Sequence, residues 1–139
     1  MSERTARRAV VALALAGAAI AGYLTYTHYR GITPVCATGG CEVVQTSHYA
    51  KVAGIPVAVI GLVGYLVLVA LPFSRVREAP AVAVALALSG LGFAGYLLVV
   101  QLAVIDAVCI WCLASDIVMA VSTAATIAWL RAADAARLG

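Results

Sequence analysis

The sequence has few charged residues and no long polar stretch. Of its 139 residues, 11% are charged and 65% are hydrophobic, whereas about 25% of the residues in a typical soluble domain are charged. A sizeable soluble domain is therefore excluded, because the chain lacks the polar residues to cover one. We expect an integral membrane protein.

The basic residues form no cluster that would serve as a nucleic-acid-binding surface. The formal net charge is +3, but Arg and Lys occur in ones and twos at the ends of apolar tracts. Such a distribution is typical of loops that flank membrane helices. The positive charge therefore predicts topology and not a polyanionic partner.

Four apolar tracts are long enough to cross a bilayer, which takes about 20 residues per helix. They cover approximately residues 9–29, 56–73, 80–104 and 109–130. Pro56 and Pro80 lie where a helix tolerates proline, in a first turn, and mark two helix starts. The predicted fold is an all-α membrane protein, a four-transmembrane-helix bundle that forms a single domain over residues 1–139, with an outer loop at 30–55.

The basic residues also predict the orientation in the membrane. Seven of the nine fall in three segments on one side of the predicted bundle: Arg4, Arg7, Arg8, Arg75, Arg77, Arg131 and Arg137. By the positive-inside rule these segments and both termini are cytoplasmic. The loop 30–55 and the turn around Asp106 are then outside, as expected in a bacterial cytoplasmic membrane.

The first tract has an alternative interpretation as a signal peptide. Basic residues, an apolar run and the small residues from Ala16 to Ala21 also describe such a segment. The tract continues through Tyr23 and Tyr26, past the usual length of a signal-peptide apolar region, which favours a membrane span.

All four cysteines, Cys36, Cys41, Cys109 and Cys112, lie at or near the predicted outer face. Thiols outside the cytoplasm tend to be oxidised, so two disulfides are expected. A zinc site is the structural alternative for four cysteines. The four residues between Cys36 and Cys41, and the location of the second pair on a membrane helix, disfavour zinc, and no metal is predicted.

The spacing of the second pair indicates redox chemistry. In Cys109-Ile110-Trp111-Cys112, two sulfurs one helical turn apart can cycle between dithiol and disulfide. Gly39 and Gly40 lie between the first two cysteines and are expected to leave the loop backbone mobile. Exchange between two pairs requires such mobility, because each transfer passes through a mixed disulfide.

Asp116 is a candidate functional residue inside the last tract. Residues 109, 112 and 116 fall on one face of a helix, with Asp116 about 10 Å deeper than Cys109 at 1.5 Å per residue. A carboxyl group within a membrane usually faces the bundle interior. Two roles stay open: a hydrogen bond or proton donated to a ligand, and a helix–helix hydrogen bond to a residue such as Ser115.

The sequence resembles the vitamin K epoxide reductase family, specifically its bacterial disulfide-forming members. The resemblance covers nearly the whole chain and rests on these segments: the loop pair Cys36 and Cys41, Ser47 six residues after Cys41, Tyr49-Ala50, Gly54-Ile55-Pro56, and Cys109-Ile110-Trp111-Cys112.

The resemblance implies a bundle around a quinone of the menaquinone, ubiquinone or vitamin K type, with a short helix in the outer loop. It also implies roles for the cysteines. Cys112 would react with the quinone, Cys109 would exchange with Cys41, and Cys36 would meet an external protein. Ser47 would lie near the quinone head group, with a helix cap as the alternative.

The resemblance further implies the partner and the activity. Some family members carry a fused thioredoxin-like domain, and since this chain ends at Gly139 without one, a separate thioredoxin-like or DsbA-like protein is expected. The predicted function is a membrane thiol-disulfide oxidoreductase that reduces a quinone, with Ser47, His48 and Asp116 as candidates for proton transfer. The alternatives are a reductase whose main product is vitamin K or a quinol, and a non-enzymatic scaffold with structural disulfides.

Overall fold

The computed structural model describes residues 1–36 and 40–139. Within them lie five α-helices: α1 (Glu3–Arg30), α2 (Gly40–Gln45), α3 (Val57–Ala70), α4 (Ala79–Val99) and α5 (Ile110–Leu138). A 3-10 turn, Leu71–Phe73, extends α3, and a π-helical segment, Val100–Ile105, extends α4. The protein is an all-α membrane protein, as predicted.

Three of these helices are long and apolar enough to cross a membrane: Glu3–Arg30, Ala79–Ile105 and Ile110–Leu138. The remaining apolar helix, Val57–Phe73, is shorter. At 1.5 Å per residue it reaches about 26 Å, close to the roughly 30 Å of a hydrocarbon core. A fourth span therefore stays a prediction.

Local sequence explains where several helices begin and end. The hydroxyl of Ser2 caps α1 by accepting a hydrogen bond from the backbone N–H of Thr5 at 3.2 Å. Gly31 ends α1 in the left-handed region, with φ of 66°. Pro56 directly precedes α3, and Pro80 is the second residue of α4. The two prolines therefore mark helix starts.

The long helices do not pack equally against one another. Helix α1 packs against α3 and α5, and α4 packs against α5, while α3 and α4 contact each other far less. Gly17 lets α1 approach α3 closely, because a Cβ atom there would overlap the ring of Tyr65. Because α3 and α4 each pack against another helix but contact each other little, room is left for a cavity between them.

The loop 30–55 folds over one end of the bundle. It contains α2, a 3-10 turn at His48–Ala50 and a two-stranded antiparallel ladder of β1 (Lys51–Val52) and β2 (Ile55–Pro56). Gly39, one of the two glycines predicted to keep this loop mobile, lies outside the described residues. The short loop helix that the family resemblance implies corresponds to α2, at the end of the bundle where α5 begins.

Candidate functional site

The two cysteine pairs lie together at one end of the bundle. Cys36 and Cys41 form a disulfide with their Cα atoms 6.1 Å apart, and Cys109 and Cys112 are thiols. Cys41 and Cys109 are completely buried in one apolar cluster, against which Cys36 and Cys112 also pack. No group of three or more His, Cys, Asp or Glu side chains within the described residues is arranged to hold a metal ion.

Backbone packing brings the segment that holds Cys41 onto the segment that holds Cys109. Gly40 begins α2 directly on the backbone of Val108, so closely that a Cβ atom on Gly40 would overlap the Val108 carbonyl. The backbone N–H of Cys109 donates a hydrogen bond to the side-chain carbonyl oxygen of Gln101 at 2.9 Å. The sequence predicted that Gly40 keeps the loop mobile. In the structure, its lack of a side chain instead lets α2 approach the backbone of Val108 closely.

Trp111 attaches the segment before Cys36 to the bundle. Its indole N–H donates a hydrogen bond to the carbonyl oxygen of Val35 at 2.5 Å. The backbone N–H of Val35 donates a hydrogen bond to the hydroxyl of Tyr23 at 3.0 Å. The ring centroids of Tyr23 and Trp111 lie 4.8 Å apart. The middle of the Cys-x-x-Cys segment therefore positions the loop cysteines.

A cavity of about 330 Å³ lies between α3, α4 and α5 and extends to α2. This volume is within the usual range for small-molecule pockets. Its walls are mainly apolar, and its polar lining residues are Gln45, Ser47, Tyr49, Tyr65, Ser89, Gln101, Ser115 and Asp116. The thiol of Cys112, in the first turn of α5, lines the cavity, and that of Cys109, which directly precedes α5, does not.

Asp116 lines this cavity one turn beyond Cys112. One of its carboxyl oxygens, Oδ2, is buried without a hydrogen-bond partner among the described residues. The neighbouring Ser115 hydroxyl instead lies 3.0 Å from the hydroxyl of Tyr65. An unpaired buried polar group costs about 1–3 kcal/mol, and among the described residues this oxygen makes no helix–helix hydrogen bond.

Ser47 and His48 occupy different environments. Ser47 lines the cavity, and its hydroxyl donates a hydrogen bond to the carbonyl oxygen of Val44 at 2.7 Å. It directly precedes the 3-10 turn but makes no capping hydrogen bond to it. His48 is exposed, packs edge-to-face against Tyr49, and does not line the cavity. Of the predicted proton-transfer candidates, Ser47 and Asp116 thus face the cavity.

Gln45 and Gln101 are site residues that sequence analysis did not single out. The side-chain amide N–H of Gln45 lies 3.3 Å from the sulfur of Cys112 and 3.8 Å from that of Cys109. Gln45 follows Cys41 by four residues, one helical turn, and Gln101 is an amide inside an apolar tract. Gln101 carried a signal, because a polar side chain within a membrane segment usually faces a cavity or a partner. Gln45 lies in the loop between two spans and carried no such signal.

A model of one known protein family matches most of the chain. The family model described as the Vitamin K epoxide reductase family matches residues 8–127. The matched range includes all four cysteines and every residue that lines the cavity.

Proposed function

The chain belongs to the vitamin K epoxide reductase family, and from this premise we propose that it oxidises a thioredoxin-like partner outside the cytoplasm and passes the electrons to a quinone. Family membership makes it a membrane thiol-disulfide and quinone oxidoreductase. The proposal adds the electron path, the partner and the site residues. Its main support is that Cys109 and Cys41 are buried in the same apolar cluster while Cys112 lines the cavity.

The proposed path has two exchanges between cysteine pairs. A reduced partner transfers two electrons and two protons to the Cys36–Cys41 disulfide by attack on Cys36. A thiolate on Cys41 then attacks Cys109 in the oxidised α5 pair and releases the Cys112 thiolate. Attack by Cys36 on the Cys41–Cys109 bond restores the loop disulfide, and the α5 pair is left as a dithiol.

The residues around the cavity fit a quinone. A bound quinone supplies an acceptor for two electrons and two protons. The apolar walls suit its ring and tail, and the unpaired oxygen of Asp116 is available for a polar contact beside Cys112. We propose that Ser47, Cys112 and Asp116 hold the head group, and that Asp116 moves a proton at its Oδ2 atom.

Gln45 is proposed as a positioning residue for the leaving sulfur. Its amide N–H lies within 4 Å of both α5 sulfurs. A hydrogen bond to a charged acceptor is stronger than one to a neutral acceptor, so this amide stabilises Cys112 as the thiolate. Since Gln45 lies on α2 with Cys41, it acts when the loop is docked on α5.

Gln45→Leu is expected to slow quinone reduction about tenfold. Leucine keeps the volume but removes the hydrogen bond, and a hydrogen bond to a charged group contributes roughly 1.5–3 kcal/mol. Quinol formation by the membrane-reconstituted variant measures the effect. The control is Glu42→Gln, an exposed change on the same helix. Equal rates for the two variants would remove Gln45 from the mechanism.

The activity itself is tested in vesicles that contain the protein, a menaquinone analogue and a reduced thioredoxin-like protein. One quinol is expected for each partner disulfide formed, and Cys109→Ser is expected to abolish both products. Partner oxidation that persists in Cys109→Ser, with lowered stability, would instead support the structural scaffold. Faster turnover of vitamin K epoxide with a dithiol donor would make epoxide reduction the main activity.

The proposed orientation has four spans in one domain, cytoplasmic termini and the cysteines at the outer face. Reporter fusions are expected to place residues Arg75 and Arg137 inside and Ser47 outside. Alkaline phosphatase activity measures export of the fusion point, and green fluorescent protein measures its retention. Phosphatase activity at Arg75 would overturn this topology, because it would leave the cysteines on the reducing side.

A further inference from the structure

The end of the bundle opposite the cysteines carries a basic cavity of about 260 Å³. It lies where α1 and α4 begin and α5 ends. Its polar lining residues are Arg7, Arg75, Arg77, Arg137, Ser74, Trp129 and Glu3. We call it the arginine cavity. Four guanidinium groups and one carboxylate line it, so the lining carries a net positive charge.

A groove of about 660 Å³ adjoins the arginine cavity. We call it the apolar groove because most of its surface is apolar, although Arg4 and Arg8 also line it. The groove and the cavity share Arg7 and Glu3 as lining residues. The groove runs along α1 past Leu15 and is closed on its other side by Phe73, side chains that are 52% and 71% exposed. Both side chains lie on membrane helices or their extensions, so the groove faces the lipid.

The arginine side chains keep donors available for a ligand. Arg7 donates a hydrogen bond to the carbonyl oxygen of Pro72, and Arg137 donates to the carbonyl oxygen of Arg77 and contacts Asp134 at 3.4 Å. These bonds fix the position of two guanidinium groups. Each guanidinium has five N–H donors, so further N–H donors remain for a ligand.

Trp129 gives an independent indication of a ligand. The residue lines the arginine cavity, is only 3% exposed, and its indole N–H is buried without a hydrogen-bond partner among the residues that the structure describes. Buried indole N–H groups usually have a partner, and leaving one unpaired costs about 1–3 kcal/mol. An anionic oxygen in the cavity would supply the missing acceptor.

We propose that this end of the bundle binds one anionic phospholipid. Its phosphate lies in the arginine cavity and accepts hydrogen bonds from the guanidinium groups and from Trp129, while an acyl chain lies in the apolar groove. Arg7 lines both spaces and stands at the junction of head group and chain. The adjoining groove favours a lipid over free phosphate, because basic pockets between membrane helices bind anionic head groups.

The test measures binding of phosphatidylglycerol to the full-length protein in detergent by native mass spectrometry. Wild type is expected to retain one phosphatidylglycerol and to bind phosphatidylcholine much more weakly. Trp129→Phe keeps an aromatic ring but removes the donor, and should weaken retention about tenfold, the usual effect of losing a hydrogen bond to a charged group. Arg75→Gln combined with Arg77→Gln should weaken it at least as much.

The matched control is Arg30→Gln combined with Lys51→Gln, which removes the same charge at the other end of the bundle. Unchanged phosphatidylglycerol retention is expected there. The proposal is overturned if this control loses the lipid equally, if phosphatidylcholine is retained as well, or if inorganic phosphate alone displaces phosphatidylglycerol. Should Trp129→Phe fail to fold, the arginine variant decides, because its changed residues are exposed.

Discussion

Replacing Cys112 with serine is expected to accumulate a protein with a disulfide between Cys109 and Cys41. Both residues are completely buried in the same cluster, so a thiolate on Cys109 can attack Cys41 in the loop disulfide and release Cys36. The exchange needs no added oxidant, since one disulfide replaces another. Without Cys112, only the released Cys36 thiol can reverse this exchange, and an alkylating agent that blocks Cys36 preserves the new bond. No second thiol is left beside the cavity, so quinone reduction should be abolished.

Mass spectrometry of peptides from membranes treated with an alkylating agent identifies this species. The Cys109–Cys41 link retains the mass of a monomer and disappears under reductant. Cys41→Ser is the matched variant, and it should give a different product. In it the thiolate of Cys36 can attack the disulfide of an oxidised thioredoxin-like protein and release one of that protein's thiols. The mixed disulfide, which Cys41 would otherwise resolve, should accumulate as a larger complex. An intact Cys36–Cys41 bond beside a free Cys109 thiol in Cys112→Ser would show that the proposed order of transfer is wrong.

Asp116→Asn is expected to slow quinone reduction about 100-fold while the protein stays folded. The proposed role of Asp116 is proton transfer to the quinone, and a positioned acid or base typically contributes 10²–10⁴-fold. Asparagine keeps the size and polarity of the side chain but cannot give up a proton. Exchange between Cys41 and Cys109 should be unaffected, because those sulfurs lie outside the cavity lining. Stopped-flow absorbance of quinol formation measures the rate.

Asp106→Asn provides the control for this experiment. Asp106 is exposed and has a φ of 53°, a left-handed conformation that asparagine also tolerates. The same chemical change there should leave the rate unaltered. Unchanged quinone kinetics in a folded Asp116→Asn protein would reduce Asp116 to a packing role, despite its unpaired oxygen.

The family and the membrane class were predictable because the relevant signals are local. An apolar tract must be long enough to cross a hydrocarbon layer whatever surrounds it. The spacing from Cys109 to Cys112 places two sulfurs one turn apart in any helix. The same locality explains why Asp116 was singled out: its position on the face of Cys112 follows from helical geometry, and the structure places it in the cavity.

The roles of Gly40 and Gln45 were not predictable, because they depend on contacts between segments that are distant along the chain. Gly40 was interpreted as a source of mobility, and only the packing of α2 on Val108 shows that a side chain has no room there. Gln45 lies 67 residues from Cys112 along the chain, and the fold brings its amide to the sulfur. No local pattern specifies which of several polar residues makes such a contact.

The sequence by itself determined that this protein is a helical membrane oxidoreductase with two cysteine pairs, because hydrophobic length and cysteine spacing act within one helix or loop. Only the tertiary structure decided where the cavities lie. The cavity beside Cys112 exists because α3 packs against α1 and α4 packs against α5, while α3 and α4 contact each other far less. The arginine cavity joins Arg7 near the start of α1 to Trp129 near the end of α5. Such empty space depends on how every helix packs against the others, a property that no single segment carries.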